Sequence, residues 1–496
     1  MEKLNKEQIE HKHPLYDHLE DRWKFWNAAY DGIDALIQWG VIKKNDRESQ
    51  GNFEARKDKA YGFNYSRSVT NIFSHYLNQK QPARELGTLA DDAAWLEFQD
   101  DCDLCGNSFD VFLNQQDKNA SIQGFVGILV DKPMIQVETK ADELAQKLYP
   151  YITVYHPADI WDWKYKTNEQ TGRPFLDFLK LVDSEGHIRI WTQTEWAVYE
   201  WNDDKKEYEE ISAGSHELKE IPFVFLENIK NRKHRNIGVS DISDIARIDA
   251  SIIRNLSQGE EVIDYAAFPM MRKPMRQVNN TQPDEVGVSG LLEFDPTMPE
   301  SKPDWLAAEV QAPITAILTW IDKKVQEVYR CAGIAALRSL DTGPAKSGVA
   351  LKQEFQELNA TLCSKADNLD EAEEMIIWFW LLWQNNGTEY ANIKVQRPKD
   401  FSIVDLVTDL ANALTSTTVV KSDTFKKQLQ KNIARAMLDG ESDDLFAVID
   451  DEIDAYKPEA IQPPAFAPKE LGPGQQGGDM GNMDDNNADG KGQPAE

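Results

Sequence analysis

One stretch of this chain limits the choice of fold more than any other. From Ser347 to about Trp383 nothing interrupts a helical pattern. Val349, Leu351, Phe355, Leu358, Leu362, Ala366, Leu369 and Ala372 keep an apolar stripe, so the segment predicts one very long helix. Two more long helices precede it. Ile242, Ile245, Ile248, Ile252, Leu256 and Ile263 share one face of a helix predicted over 240–265, with Ser240 as its cap. Pro313 opens the other at its first turn, and it runs through Ile317, Trp320, Ile321, Val325 and Val328 to about Cys331. Between the two, Pro269, Pro274 and Pro283 forbid helix continuation. Residues 266–312 therefore read as a turn-rich insertion with short strands, such as Gly290-Leu291-Leu292-Glu293-Phe294. Gly343-Pro344 breaks the pattern again before Ser347.

Upstream, residues 14–130 read as mostly helical. Leu19, Trp23, Trp26, Ala29 and Ile33 recur at helical spacing, as do Val69, Ile72, Phe73, Tyr76 and Leu77. The period then changes. Residues 151–155, 175–182, 188–191 and 197–201 are short β-branched and aromatic runs, and Asn202-Asp203-Asp204-Lys205 is a turn signal. That part predicts a β-rich lobe of antiparallel hairpins. After the long helix come a short strand at 392–396 and helices near 402–415, 422–438 and 442–456. Beyond Lys457 the composition shifts to Pro, Gly, Asn, Gln and Asp, which predicts a disordered tail. The fold class is α+β, mainly helical, without internal repeats, and 496 residues imply two or more lobes.

Several function classes lose their footing here. No run of eighteen apolar residues exists, so no transmembrane helix is predicted. The start, Met1-Glu2-Lys3-Leu4-Asn5-Lys6, lacks the order of a signal peptide, so the chain is expected in the cytoplasm where it is made. Four cysteines do not make a disulfide framework. Cys102 and Cys105 form one C-x-x-C without further zinc ligands nearby, and read as ordinary thiols. Phosphate-binding glycine loops, H-E-x-x-H and G-x-S-x-G are all missing. His11 with His13 reads as a solvated segment. Asp101 with Asp103, and Asp450-Asp451 with Asp454, read as solvated faces rather than a metal site. No cofactor or metal is expected. A net charge of −30 argues against wrapping around nucleic acid. The basic residues matter more by place: Arg272, Lys273 and Arg276 in the insertion, Lys323, Lys324 and Arg330 on the second long helix, and Arg338, Lys346 and Lys352 around the break.

Three stretches together resemble the portal proteins of tailed bacteriophages. The first runs from Ile221-Pro222-Phe223-Val224 to Ile237-Gly238-Val239-Ser240-Asp241-Ile242, a strand and loop leading into a helix. The second, Ser347-Gly348-Val349-Ala350-Leu351-Lys352, opens the longest helix. The third is Gly127-Ile128-Leu129-Val130-Asp131-Lys132-Pro133 followed by Tyr155-His156-Pro157-Ala158-Asp159-Ile160-Trp161-Asp162-Trp163. The resemblance spans about residues 60 to 440. It implies a wing at 14–240 after an N-terminal segment 1–13, with a helical part to about 130 and a β-rich part at 150–228. It further implies stem helices at 241–265 and 313–332, a clip at 266–312 and a tunnel loop at 333–346. The long kinked helix and a return to the wing would occupy 347–400, a helical crown 401–457, and the tail 458–496.

The same resemblance implies a ring of twelve copies at one capsid vertex, a channel for packaging and ejecting double-stranded DNA, and no enzyme activity. Partners would be DNA without sequence specificity, the terminase large subunit, the major capsid protein, the scaffolding protein and tail adaptor or neck proteins, with no membrane. Arg338, Lys346, Lys323, Lys324 and Arg330 would meet DNA. Asp244, Asp249, Asp322 and Glu327 would line the bore. Arg272, Lys273 and Arg276 would serve docking at the clip, and Gly343 and Pro344 would hinge the loop. A metal-dependent phage nuclease and a helical scaffold or adaptor are the alternatives.

Overall fold

The computed structural model describes residues 4–133, 135, 142, 146, 148–267, 270–272, 304–306, 311–334, 348–399, 401, 422–437 and 443–455. They divide between two compact units, Met1–Ser402 and Ile403–Glu496.

Helices dominate the start because side chains before the apolar runs accept from otherwise unpaired backbone N–H groups. Asn5 opens α1 (Lys6–Glu10) with a capping box, and His13 caps α2 (Pro14–Asp31), where proline sits in the first turn. The short α3 (Ile33–Gln38) follows Gly32. Ser49, Asn64, Asp92 and Ser108 cap α4 (Gln50–Asp58), α5 (Tyr65–Leu77), α6 (Ala93–Asp100) and α7 (Phe109–Gln123). A short strand, β1 (Ala83–Glu85), lies between α5 and α6. At Gly124, just past α7, φ is +92°, and a Cβ would lie 2.5 Å from the carbonyl oxygen of Gly238. Only glycine allows that approach, which turns the chain straight into β2 (Phe125–Asp131).

β2 is the middle of a three-stranded antiparallel sheet between β3 (Tyr151–Tyr155) and β9 (Phe223–Glu227). Both its faces are covered, so its sequence is an unbroken apolar run. Val126, Ile128 and Val130 join the main core with α5 and α7. Phe125 and Leu129 point into a second core shared with α2 and a five-stranded meander. The meander follows chain order: β4 (Ile160–Thr167), β5 (Pro174–Val182), β6 (Ile188–Thr192), β7 (Glu195–Asn202) and β8 (Glu207–Ser215). These strands fall where period-2 reasoning put a β-rich lobe.

The N-terminal segment departs from expectation. Instead of standing in water, α1 lies on the meander, with Ile9 buried among Ile188, Ile190, Ala197 and Tyr199. Lys180 Nζ donates to the carbonyls of Gln8 (2.8 Å) and His11 (2.7 Å). His11 Nδ1 stands 3.3 Å from Asp162, and the His13 ring stacks on Trp163 at 4.1 Å. Polar composition hid this because the anchoring partners lie some 150 positions or more further along the chain.

Three long helices follow: α8 (Ile245–Ala267), α9 (Gln311–Cys331) and α10 (Gly348–Trp383). α8 starts later than its pattern suggested, and Ser240 does not cap it. The Ser240 hydroxyl donates to the carbonyl of Ile122 at the end of α7 (2.6 Å) and accepts from Ile242 N (3.2 Å). Residues 241–244 form a turn. Ile252, Leu256 and Ile321 make the seam between α8 and α9. α10, with 36 residues, is about 54 Å long at 1.5 Å per residue. Leu358, Leu362, Ala366, Leu369, Ala372, Ile376, Ile377 and Trp380 are buried along it, as the stripe requires.

β10 (Met270–Arg272) pairs antiparallel with β11 (Asp304–Leu306), joining both ends of the expected insertion. The strand expected at 290–294, the helix near 402–415 and the tail after 457 lie outside the described residues. β12 (Lys394–Gln396) pairs with β1. In the second unit, α11 (Asp423–Met437) and α12 (Asp443–Ala455) pack together, with Lys431 2.7 Å from Asp454.

Burial pushes the Lys180 ammonium down to about 8. Above that pH the folded chain binds fewer protons than the unfolded chain, whose lysine titrates near 10.4, so this group adds stability as pH rises across that window. Chemical denaturation at pH 7.5 to 10 should show the native chain gaining stability relative to Lys180→Met. Parallel curves for the two proteins would contradict this.

Candidate functional site: a long helix anchored by buried ions

The buried face of α10 carries charges. Lys365 Nζ donates to Asp241 Oδ2 (2.5 Å) and Ser121 Oγ (2.6 Å), and the two ionic side chains are almost fully enclosed. Asn228 Nδ2 donates to the other Asp241 oxygen (2.9 Å) and to the carbonyl of Val239 (2.8 Å). Asn368 donates to the carbonyl of Asn228 (3.0 Å). Four segments thus meet at one lysine: the end of α7, the loop after β9, the approach to α8, and α10. Nearby, burial raises the Asp117 carboxyl and Lys365 partly offsets the shift.

A second ionic group holds the β1–β12 ladder to α10. Arg397 meets Asp370 (2.7 Å) and Glu373 (2.6 Å), and Arg84 pairs with Glu373 and Asp110. None of these residues stood out in the sequence as a site. The available signal was ionic and amide residues, Lys365, Asn368 and Glu373, set among Leu362, Ala366, Leu369 and Ala372. Buried charge needs a partner, which one chain pattern does not name.

The expected bore-lining and DNA-contacting residues separate into different environments. Asp249 is fully buried and does not line a surface of this chain. Its Oδ2 accepts from Ser66 N (2.9 Å) and Ser66 Oγ (2.8 Å), capping the start of α5 from α8. Burial holds that carboxyl above the usual range. Lys324 is half-buried and donates to Ser251 Oγ (2.8 Å), across the seam from α9 to α8. Burial lowers its pKa. Asp244, Asp322, Lys323, Glu327 and Arg330 are exposed. Glu327 and Arg330 pair at 2.7 Å, and Asp322 accepts from Gln326 (3.1 Å). Arg272 lies in β10. Lys273, Arg276, Arg338, Gly343, Pro344 and Lys346 lie outside the described residues.

Cys102 is buried and its Sγ donates to the carbonyl of Asn107 (3.4 Å), while Cys105 is exposed. Burial pushes the Cys102 thiol pKa up, away from thiolate chemistry. Among the described residues, no group of three or more His, Cys, Asp or Glu is placed to hold a metal ion. Nor is any helix there long and apolar enough to cross a membrane.

The family described as "Phage portal protein, SPP1 Gp6-like" matches residues 11–404. Solved structures similar to this chain include "Neck of empty GTA particle computed with C6 symmetry" (9% identity, TM-score 0.43, 77% of this chain and 94% of that one). Others are "Neck of native GTA particle computed with C12 symmetry" (11%, 0.38, 78% and 89%) and "Virion of native gene transfer agent (GTA) particle" (11%, 0.35, 85% and 99%). Comparison with curated protein sequences finds no match. The family match covers far more than half of the sequence, and the chain belongs to the SPP1 Gp6-like phage portal proteins. It is a phage portal protein, a structural component and not an enzyme.

Replacing Lys365 by Met strands the buried Asp241 carboxylate. Urea unfolding should show a loss of about 3–5 kcal/mol, the usual penalty for breaking a buried pair. Adding Asp241→Leu should recover most of it. A double variant as weak as the single one would show that the pair is not what anchors α10.

Proposed function

We propose that copies of this chain close into a ring, twelve in number, at one vertex of the capsid, and that double-stranded DNA enters and leaves through its bore. Family membership over residues 11–404 carries this reading. In it, 14–240 and the return after α10 form the wing, α8 and α9 the stem, 266–312 the clip, 333–346 the tunnel loop and 401–457 the crown. The terminase large subunit and the neck or adaptor proteins dock at the clip, where Arg272, Lys273 and Arg276 belong. The major capsid protein and the scaffolding protein meet the wing.

The exposed apolar side chains of α9 support side-by-side packing: Leu318 is 60% and Trp320 55% exposed. On a lone chain such residues would face water; between neighbours they become contact area. Asp244, Asp322 and Glu327 remain as bore-lining carboxylates. They would repel phosphate and keep the duplex sliding rather than bound. Lys323 and Arg330 are the described cations near them, and the Arg330–Glu327 pair moderates its grip. Arg338 and Lys346 touch the phosphate backbone without reading bases, and Gly343-Pro344 gives the loop its hinge.

Native mass measurement and negative-stain microscopy of purified protein test the ring directly. A closed oligomer with a central opening that admits a duplex is expected. A single-copy particle at every concentration would overturn the reading. Within assembled rings, Arg338→Ala with Lys346→Ala should alter packaged genome length or retention while leaving ring mass unchanged. Normal length and retention would remove these two residues from the DNA path.

A further inference from the structure

Although acidic residues outnumber basic ones 84 to 54, one loop of the chain is basic: Lys230, Arg232, Lys233, His234 and Arg235 follow β9. Lys230 pairs with Glu371 of α10, and Arg235 lies over the Tyr165 ring at 4.8 Å. Arg232, Lys233 and the nearby Arg173 make no ion pair among the described residues. Arg173 and Arg235 border a groove of about 420 Å³ whose apolar wall includes Phe175 and Met375. The groove is thus apolar inside and cationic at its rim.

The opposite kind of surface surrounds α6. Residues 91–103 hold six carboxylates (Asp91, Asp92, Glu97, Asp100, Asp101 and Asp103) and no Lys or Arg. Asp91, Glu97 and Asp100 are exposed, and Leu96 and Leu104 protrude with 48% and 46% exposure.

The two surfaces meet different faces of α10. The basic loop contacts it at Asn368 and Glu371, and the groove at Met375 and Phe379. α6 contacts it at Trp380, through Trp95 (5.2 Å between ring centroids) and Phe98 (6.1 Å). At about 100° per residue, Asn368, Glu371, Met375 and Phe379 stand about 100° to 180° around the helix from Trp380, so the loop and groove meet a different face of α10 from α6. A head-to-tail ring needs two different, complementary surfaces on opposite sides of each subunit.

We propose that the acidic α6 surface of one copy docks into the basic rim and groove of the next, with Leu96 and Leu104 as apolar anchors. This rests on the ring reading above and names the surfaces that close it. A second copy fits better than nucleic acid, because the groove's apolar wall of Phe175 and Met375 can take the protruding Leu96 and Leu104, whereas a phosphate backbone offers it only charge. Steering by such charge sets register and partner choice.

Charge reversal tests it. One variant carries Arg173→Glu, Arg232→Glu and Lys233→Glu; the other carries Asp91→Lys, Glu97→Lys and Asp100→Lys. Each alone should lose rings by about tenfold or more in native mass spectra, a shift of about 1.4 kcal/mol. Circular dichroism and melting should remain those of the native chain. Mixed one to one, the two variants present complementary faces again and should assemble into rings of alternating subunits. If reversal unfolds a variant, the neutral changes Arg232→Gln with Lys233→Gln, and Glu97→Gln with Asp100→Asn, should each still weaken assembly. Rings from each variant at native yield, or a mixture that stays unassembled, would overturn the interface. So would rings that persist while the loop variant alone loses binding to a short DNA duplex. A native chain that never forms rings removes the ring reading itself, and this interface with it.

Discussion

Lys365 is buried, and so is its partner Asp241. Taking both out of water costs several kcal/mol each, returned only if the geometry is tight and the remaining donors and acceptors are filled. Here they are filled, by Ser121 and Asn228. A long amphipathic helix packed by its stripe alone could slide by a turn with modest loss. A buried ion pair makes such a slip expensive, because both charges would be stranded. The junction therefore sets where α10 sits along the rest of the first unit.

Other features follow from that placement. Asp370 and Glu373, about one and two turns further along, receive Arg397 and Arg84, which fastens the β1–β12 ladder to the same helix. Asp241, held by Lys365, fixes the approach to α8, and Asp249 then reaches the start of α5. The orientation of α8, and with it the α8–α9 pair, is tied to the helical part by buried polar contacts rather than by apolar area alone. In a portal protein this rigidity serves a purpose. In the proposed ring, a small angular error in each subunit, repeated from copy to copy, would prevent closure.

Much of the plan was legible in the chain. Period 3.6 found α5, α8, α9 and α10, because each buries one stripe and has a proline or glycine near an end. Period 2 found the β-rich lobe, and Pro269 to Pro283 marked the interruption between α8 and α9. The errors share one cause. Ser240 looked like a cap but bonds to Ile122; Asp249 looked like a solvated acid but caps Ser66; His11 and His13 looked like loose polar residues but lie on the meander. A polar residue at the end or on the face of an element has several possible partners, and its own neighbours in sequence do not choose among them.

Sequence by itself determined the elements, their order and the long stripe of α10, since these depend on side-chain periodicity and on backbone-breaking residues within one turn or strand. Only tertiary structure decided which charges are buried and which face water, and which two surfaces flank α10. Those properties depend on desolvation by segments more than a hundred residues away, and the energy of a charge is set by what surrounds it in space.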